Sequence, residues 1–141
     1  MTLEYLISLL HQDIANERKH MLFYLQASTA VVGLHREEYR EFFLEEAQSE
    51  LLHVQQFADA IHYLNGSLNH TIATGWQIDK TDPISLLQKA LSMEEEVSAN
   101  YTLRLKEISM DSPAEAWIHL FYEDQLQDSW KTAKEITKMI G

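Results

Sequence analysis

Glu50-Leu51-Leu52-His53 sets a carboxylate and an imidazole three residues apart. On a helix that spacing puts both on one face, where they reach a single metal ion. They interrupt an apolar stripe that runs Tyr39, Phe43, Glu46, Glu50, His53, Phe57, Ala60, Leu64. A carboxylate in such a stripe is costly unless it is paired or holds a metal. The spacing alone says little, because 7 His and 22 acidic residues give roughly one acid-x-x-His match by chance. Glu17-x-x-His20 and Asp59-x-x-His62 are further matches of that kind. What sets Glu50 and His53 apart is the company of ligand-type residues midway along other periodic segments: Glu17, Glu94, and Gln125 with Asp128.

Each of these has a bland account. A lone Glu on a nominal core stripe is more often a surface residue read in the wrong phase, and a lone core His is usually a hydrogen-bonded structural residue. Their coincidence at one depth is harder to dismiss. Carboxylates with an imidazole in a dry core, with positions left open, suit iron or manganese. A Glu from one helix and Glu-x-x-His from its neighbour is the arrangement of di-iron carboxylate bundles.

Four helices are needed to position these groups. The first is expected from about Leu3 to Val32, with stripe Leu3, Ile7, Leu10, Ile14, Glu17, Met21, Tyr24, Ser28, Val31. The second runs from about Glu37 to Leu64 and stops at Asn65-Gly66. The third and fourth open at Asp82-Pro83 and Ser112-Pro113, each an N-cap followed by proline in the first turn. Their stripes are Leu87, Ala90, Glu94, Val97, Tyr101, Leu105, Ile108 and Trp117, Phe121, Gln125, Asp128, Thr132, Ile136, Met139.

Short connections make antiparallel hairpins of the first and second helices and of the third and fourth. Between the pairs, about 16 residues from Gly66 to Thr81 have no helical period. Extended, they reach roughly 53 Å, against roughly 42 Å for a 28-residue helix. The segment is therefore long enough for one full-length crossover. The expected fold is an all-α four-helix bundle with that crossover, one domain over residues 1–141. The second helix carries another apolar stripe, Leu44, Ala47, Leu51, Val54, Ala58, Ile61. It marks either a deeply buried helix or a subunit interface.

Composition excludes several classes. With no Cys there are no disulfides, thiolate metal sites or Cys nucleophiles. A net charge of −11 argues against nucleic acid and for attraction of cations. No apolar run suits a membrane span, and the amino terminus has no secretory signal pattern. A cytoplasmic protein is expected.

At these residues the chain resembles the non-haem bacterial ferritins, over nearly its whole length. Asn16-Glu17 with Tyr24 looks like the family's first-helix ligand and nearby tyrosine. Glu46-Ala47-Gln48-Ser49-Glu50-Leu51-Leu52-His53 looks like its second-helix motif, with Glu50 bridging and His53 on the first iron. Glu94 matches the third-helix ligand of the second iron. Phe121-Tyr122-Glu123-Asp124-Gln125-Leu126-Gln127-Asp128 looks like the fourth-helix motif, with Gln125 its glutamine and Asp128 in place of a glutamate. The resemblance implies two iron ions per subunit and a homo-oligomer, at least a dimer and at most a cage.

Departures shape the expectation. Asp128 is one methylene short of the family's Glu, which weakens the second site. Ser49, Asp124 and Gln127 stand where glutamates form a third site in the family. Leu52 stands where haem-binding relatives carry an axial Met, and the fourth helix has no Glu-x-x-His, so no haem is expected. The sequence ends at Gly141, where ferritins continue into a short fifth helix that lines the cage's four-fold axes.

The implied activity is ferroxidase: Fe(II) oxidised by O2 or hydrogen peroxide at Glu17, Glu50, His53, Glu94 and Asp128, with Tyr24 nearby and Gln125 beside the metals, then stored as Fe(III) mineral. The rivals are a non-storage di-iron or di-manganese oxidase of similar fold and a structural helical dimer with a vestigial site. A miniferritin is a poorer match, since its ligands straddle a subunit interface and these fit within one chain.

Overall fold

The structure, a computed structural model, describes residues 1–141. It contains four helices: α1 (Leu3–Ala30), α2 (Arg36–Tyr63), α3 (Pro83–Glu107) and α4 (Pro113–Ile140). The expected elements are present, with ends shifted by one or two residues. Both prolines sit at a first helical position, where the missing N–H breaks no helical bond. The caps that the sequence announces are made. Asp82 Oδ2 accepts from the Ser85 N–H at 3.0 Å, and Ser112 Oγ accepts from the Glu115 N–H at 3.2 Å.

The chain forms two compact units, residues 7–86 and residues 1–6 with 87–141. In the first, α1 and α2 make a hairpin closed by Val31 to His35. Arg36 Nε donates to the Val31 carbonyl at 2.8 Å and fixes that turn. Two heptad lines of α1 are buried: Leu10, Glu17, Tyr24, Val31 and Leu6, Asp13, His20, Ala27. The sequence stripe captures the first line only. Its Leu3 is 42 % exposed, because the buried arc is centred further round the helix.

At the far end of α2, Asn65 adopts the left-handed conformation (φ 61°). Its N–H reaches the His62 carbonyl and the Gly66 N–H reaches that of Ile61, each at 2.9 Å. This double bond pattern is the Schellman stop. Gly66 is needed for close approach: a Cβ there would meet Ile61 Cγ2 at 2.9 Å and Ile7 Cγ2 at 3.1 Å.

From Gly66, beside Ile7, the chain travels the length of α1. The Ala73 N–H donates to the Ala15 carbonyl at 3.0 Å and the Val32 N–H to the Thr81 carbonyl at 3.1 Å. Between them the Arg18 guanidinium donates to Asn69 Oδ1, the Asn69 carbonyl and the Thr71 carbonyl at 3.2, 3.0 and 2.9 Å. The crossover is thus a strap pinned along α1, and it delivers the chain to the end where α2 began.

The other unit pairs α3 with α4 and adds the amino terminus. The Met1 amine lies 3.5 Å from Glu115 Oε1, and the Tyr5 hydroxyl donates to Glu107. Tyr101 and Tyr122 meet edge to face at 5.4 Å. The buried line of α4 is Glu115, Ile118, Tyr122, Gln125, Ser129, Ala133, Ile136. This corrects the stripe read from sequence. Trp117 is 42 % exposed and stacks on Phe121 at 6.2 Å, while Asp128 is only half-buried.

Candidate metal centre

Glu17 projects from the middle of α1, and Glu50 and His53 from the middle of α2. All three are buried. Their donor atoms lie within 4.8 Å of one another. His53 Nδ1 is 3.3 Å from Glu50 Oε2 and 3.4 Å from Glu17 Oε2. Ligands about 2 Å from an octahedral cation sit roughly 3 Å apart along an edge. The three donors therefore need little movement to share one ion, and two carboxylates with one imidazole suit divalent iron or manganese.

The electrostatics agree. Burial pushes the Glu17 carboxyl up, but its hydrogen bonds with Glu50 and His53 and the charge of His53 outweigh this, leaving it at about 2. Glu17 is thus an anion at any physiological pH. Tyr24 is also buried in this unit, with its ring against Phe23 at 5.4 Å and Phe43 at 6.4 Å.

In the other unit Glu94 is buried on α3. Ser129 Oγ donates to Glu94 Oε2 at 2.7 Å and also lies 3.2 Å from the Glu94 carbonyl. Gln125 is buried one turn before Ser129. Asp128 flanks this line rather than lying on it.

His20 is the residue the sequence reading passes over. It is 1 % exposed, and neither ring nitrogen has a hydrogen-bond partner. Burial lowers its pKa to about 4, against the opposing charge of Glu17. The ring is therefore neutral, with a lone pair available. Its signal is Glu17-x-x-His20, the same spacing as Glu50-x-x-His53, set aside as one of the matches expected by chance.

The helical scaffold gathers buried carboxylates and imidazole into a group that could hold a metal ion. The chain belongs to the ferritin-like domain family, whose model matches residues 7–141. Among solved structures, a ferritin-like, diiron-carboxylate protein from Bacillus anthracis str. Ames is similar over the whole of both chains, at 22 % identity and a TM-score of 0.86. Dps from Thermosynechococcus elongatus is 12 % identical, with 98 % of this chain and 91 % of that one covered and a TM-score of 0.86. A dodecameric thioferritin from Bacteroides fragilis is 21 % identical, covering 99 % and 90 %, with a TM-score of 0.67. At these identities the likeness establishes the fold, an all-α, ferritin-like four-helix bundle. No curated protein matches the sequence significantly. No helix is long and apolar enough to cross a membrane.

Proposed function

We propose that this chain is an iron-oxidising ferritin, with Fe(II) as its substrate and O2 or hydrogen peroxide as the oxidant. The observation that carries the reading is the convergence of Glu17, Glu50 and His53 on one ion-sized space. Glu17, Glu50 and His53 would hold the ions, supplying two carboxylates and one imidazole. Glu94 joins the set on the strength of the family pattern and its burial, with Gln125 and Asp128 beside it. Hard anionic oxygen stabilises Fe(III) over Fe(II), so a carboxylate-rich site favours loss of an electron from each ion. Tyr24, enclosed by aromatic rings, orients its neighbours. The acidic chain, at −11, draws cations toward it. Fe(III) is then stored as mineral by a homo-oligomer in the cytoplasm.

Stopped-flow absorbance after mixing with Fe(II) and O2 tests this. Glu50→Ala should abolish rapid oxidation, whereas Asp59→Ala should not, because Asp59 is exposed despite its acid-x-x-His spacing. Equal losses in both variants would sink the assignment. Rapid oxidation without retained iron would favour a non-storage oxidase, and binding of no more than trace iron a vestigial site.

A further inference from the structure

We propose that His20 is a metal ligand, so that α1 and α2 each bring a carboxylate and an imidazole three residues apart to one centre. The inference rests on the reading that this hairpin binds metal, but not on any oxidation there. A ring nitrogen of His20 lies within 4.8 Å of a Glu50 carboxylate oxygen. His53 Nδ1 lies 3.3 Å from Glu50 Oε2. Glu50 therefore has two imidazoles in reach. His20 falls outside the group formed by Glu17, Glu50 and His53. It is thus placed to serve a second ion that shares Glu50, while His53 serves the first.

The competing account is a histidine packed for structure. Buried polar side chains nearly always have at least one hydrogen-bond partner, and a structural histidine would be expected to use one of its two nitrogens. His20 uses neither, although it is 1 % exposed. Leaving a buried polar group unsatisfied destabilises the fold, so the ring is poorly explained as packing. Neither nitrogen is hydrogen-bonded and one lies near a carboxylate, as an imidazole ligand would before its ion arrives. The fourth-helix motif offers no imidazole, only Gln125 and Asp128. Here the second acid-x-x-His pair sits on α1 instead.

The test is an anaerobic titration with Fe(II), and separately with Co(II), of the wild type, His20→Leu and His20→Gln. The melting temperature of each metal-free protein is measured alongside. The wild type should bind two ions. His20→Leu should lose affinity for one of them by at least about tenfold, keep the other, and melt metal-free at or above the wild-type temperature. His20→Gln should show the same loss of affinity, which keeps the test valid if the leucine variant folds poorly. Pulsed EPR of the Mn(II)-loaded wild type should show imidazole nitrogen coupling from two rings, falling to one in either variant. Two ions bound with unchanged affinity in both variants would overturn the proposal. So would a metal-free melting loss with no change in titration. If the variants lose one ion but the wild type does not oxidise Fe(II), His20 remains a ligand and the ferroxidase reading falls. If the wild type oxidises Fe(II) and the variants titrate as it does, the ferroxidase reading stands and this inference falls.

Discussion

Ser129 governs how Glu94 is presented. Its hydroxyl holds one carboxylate oxygen at 2.7 Å and so fixes the rotamer of a buried acid on the neighbouring helix. Groups that orient a ligand in this way typically contribute about ten- to a hundredfold to metal affinity. Ser129→Ala should therefore weaken metal binding by that factor in a calorimetric titration and leave the helical circular dichroism intact. Unchanged affinity would show that Glu94 takes no part in holding the ion. Glu17, Glu50 and His53 are legible in the sequence because each interrupts an apolar line at mid-helix, where only a paired or metal-bound charge is tolerated. Ser129 is not, because a small hydroxyl residue on a helix carries no such contradiction. His20 is half-legible: its spacing to Glu17 is visible, but its burial follows from a second packed line of α1 that periodicity does not separate from the surface.

The helix starts and stops are the most legible elements, because local chemistry writes them. Asp82-Pro83, Ser112-Pro113 and Asn65-Gly66 each form the cap or stop that their residue types dictate. The α1–α2 turn is less so. Its N-cap is His35, held in the left-handed region at φ 67° with no side-chain cap bond, and no propensity announces that. The rotation of α4 is where the pattern misleads. Two adjacent lines of that helix are apolar, one with Trp117 and Phe121, the other with Ile118 and Tyr122. The large aromatics favour the first line on hydrophobicity alone. The choice goes instead with burial across the helix pair, since Tyr122 is fully buried against Tyr101 while Trp117, 42 % exposed, stacks on Phe121 of its own helix. That rotation is also why Asp128 flanks the buried line.

At the scale of the whole molecule, α2 keeps an apolar face uncovered. Leu51 is 47 % and Leu52 52 % exposed, with Leu44 and Val54 half-buried beside them. The second stripe read from the sequence is therefore divided: Ala47 and Ile61 belong to the core, and the remainder faces outward. An apolar face of exposed Leu51 and Leu52 flanked by half-buried Leu44 and Val54 suits contact with another protein surface, and two-fold pairing of copies is the commonest way to bury such a face. Replacing Leu51 and Val54 together by Glu should split the assembly into smaller species with helical content retained, as read by light scattering. A monomeric wild type, or a double variant of unchanged mass, would remove the case for this interface. The strap along α1 has a different consequence, for how the chain tolerates changes of length. Its pins from Asn69 to Ala73 are held in step with Ala15 and Arg18, and they divide the crossover into two independent spans. Extra residues before Asn69 or after Ala73 add only closure entropy, about 0.6 kcal/mol for each doubling of a span. One residue inserted between the pins shifts Ala73 off its acceptor or Asn69 off Arg18. An insertion series followed by thermal melting should show a shallow response on either side and a sharp drop in the middle; a uniform response would mean the pins set no register.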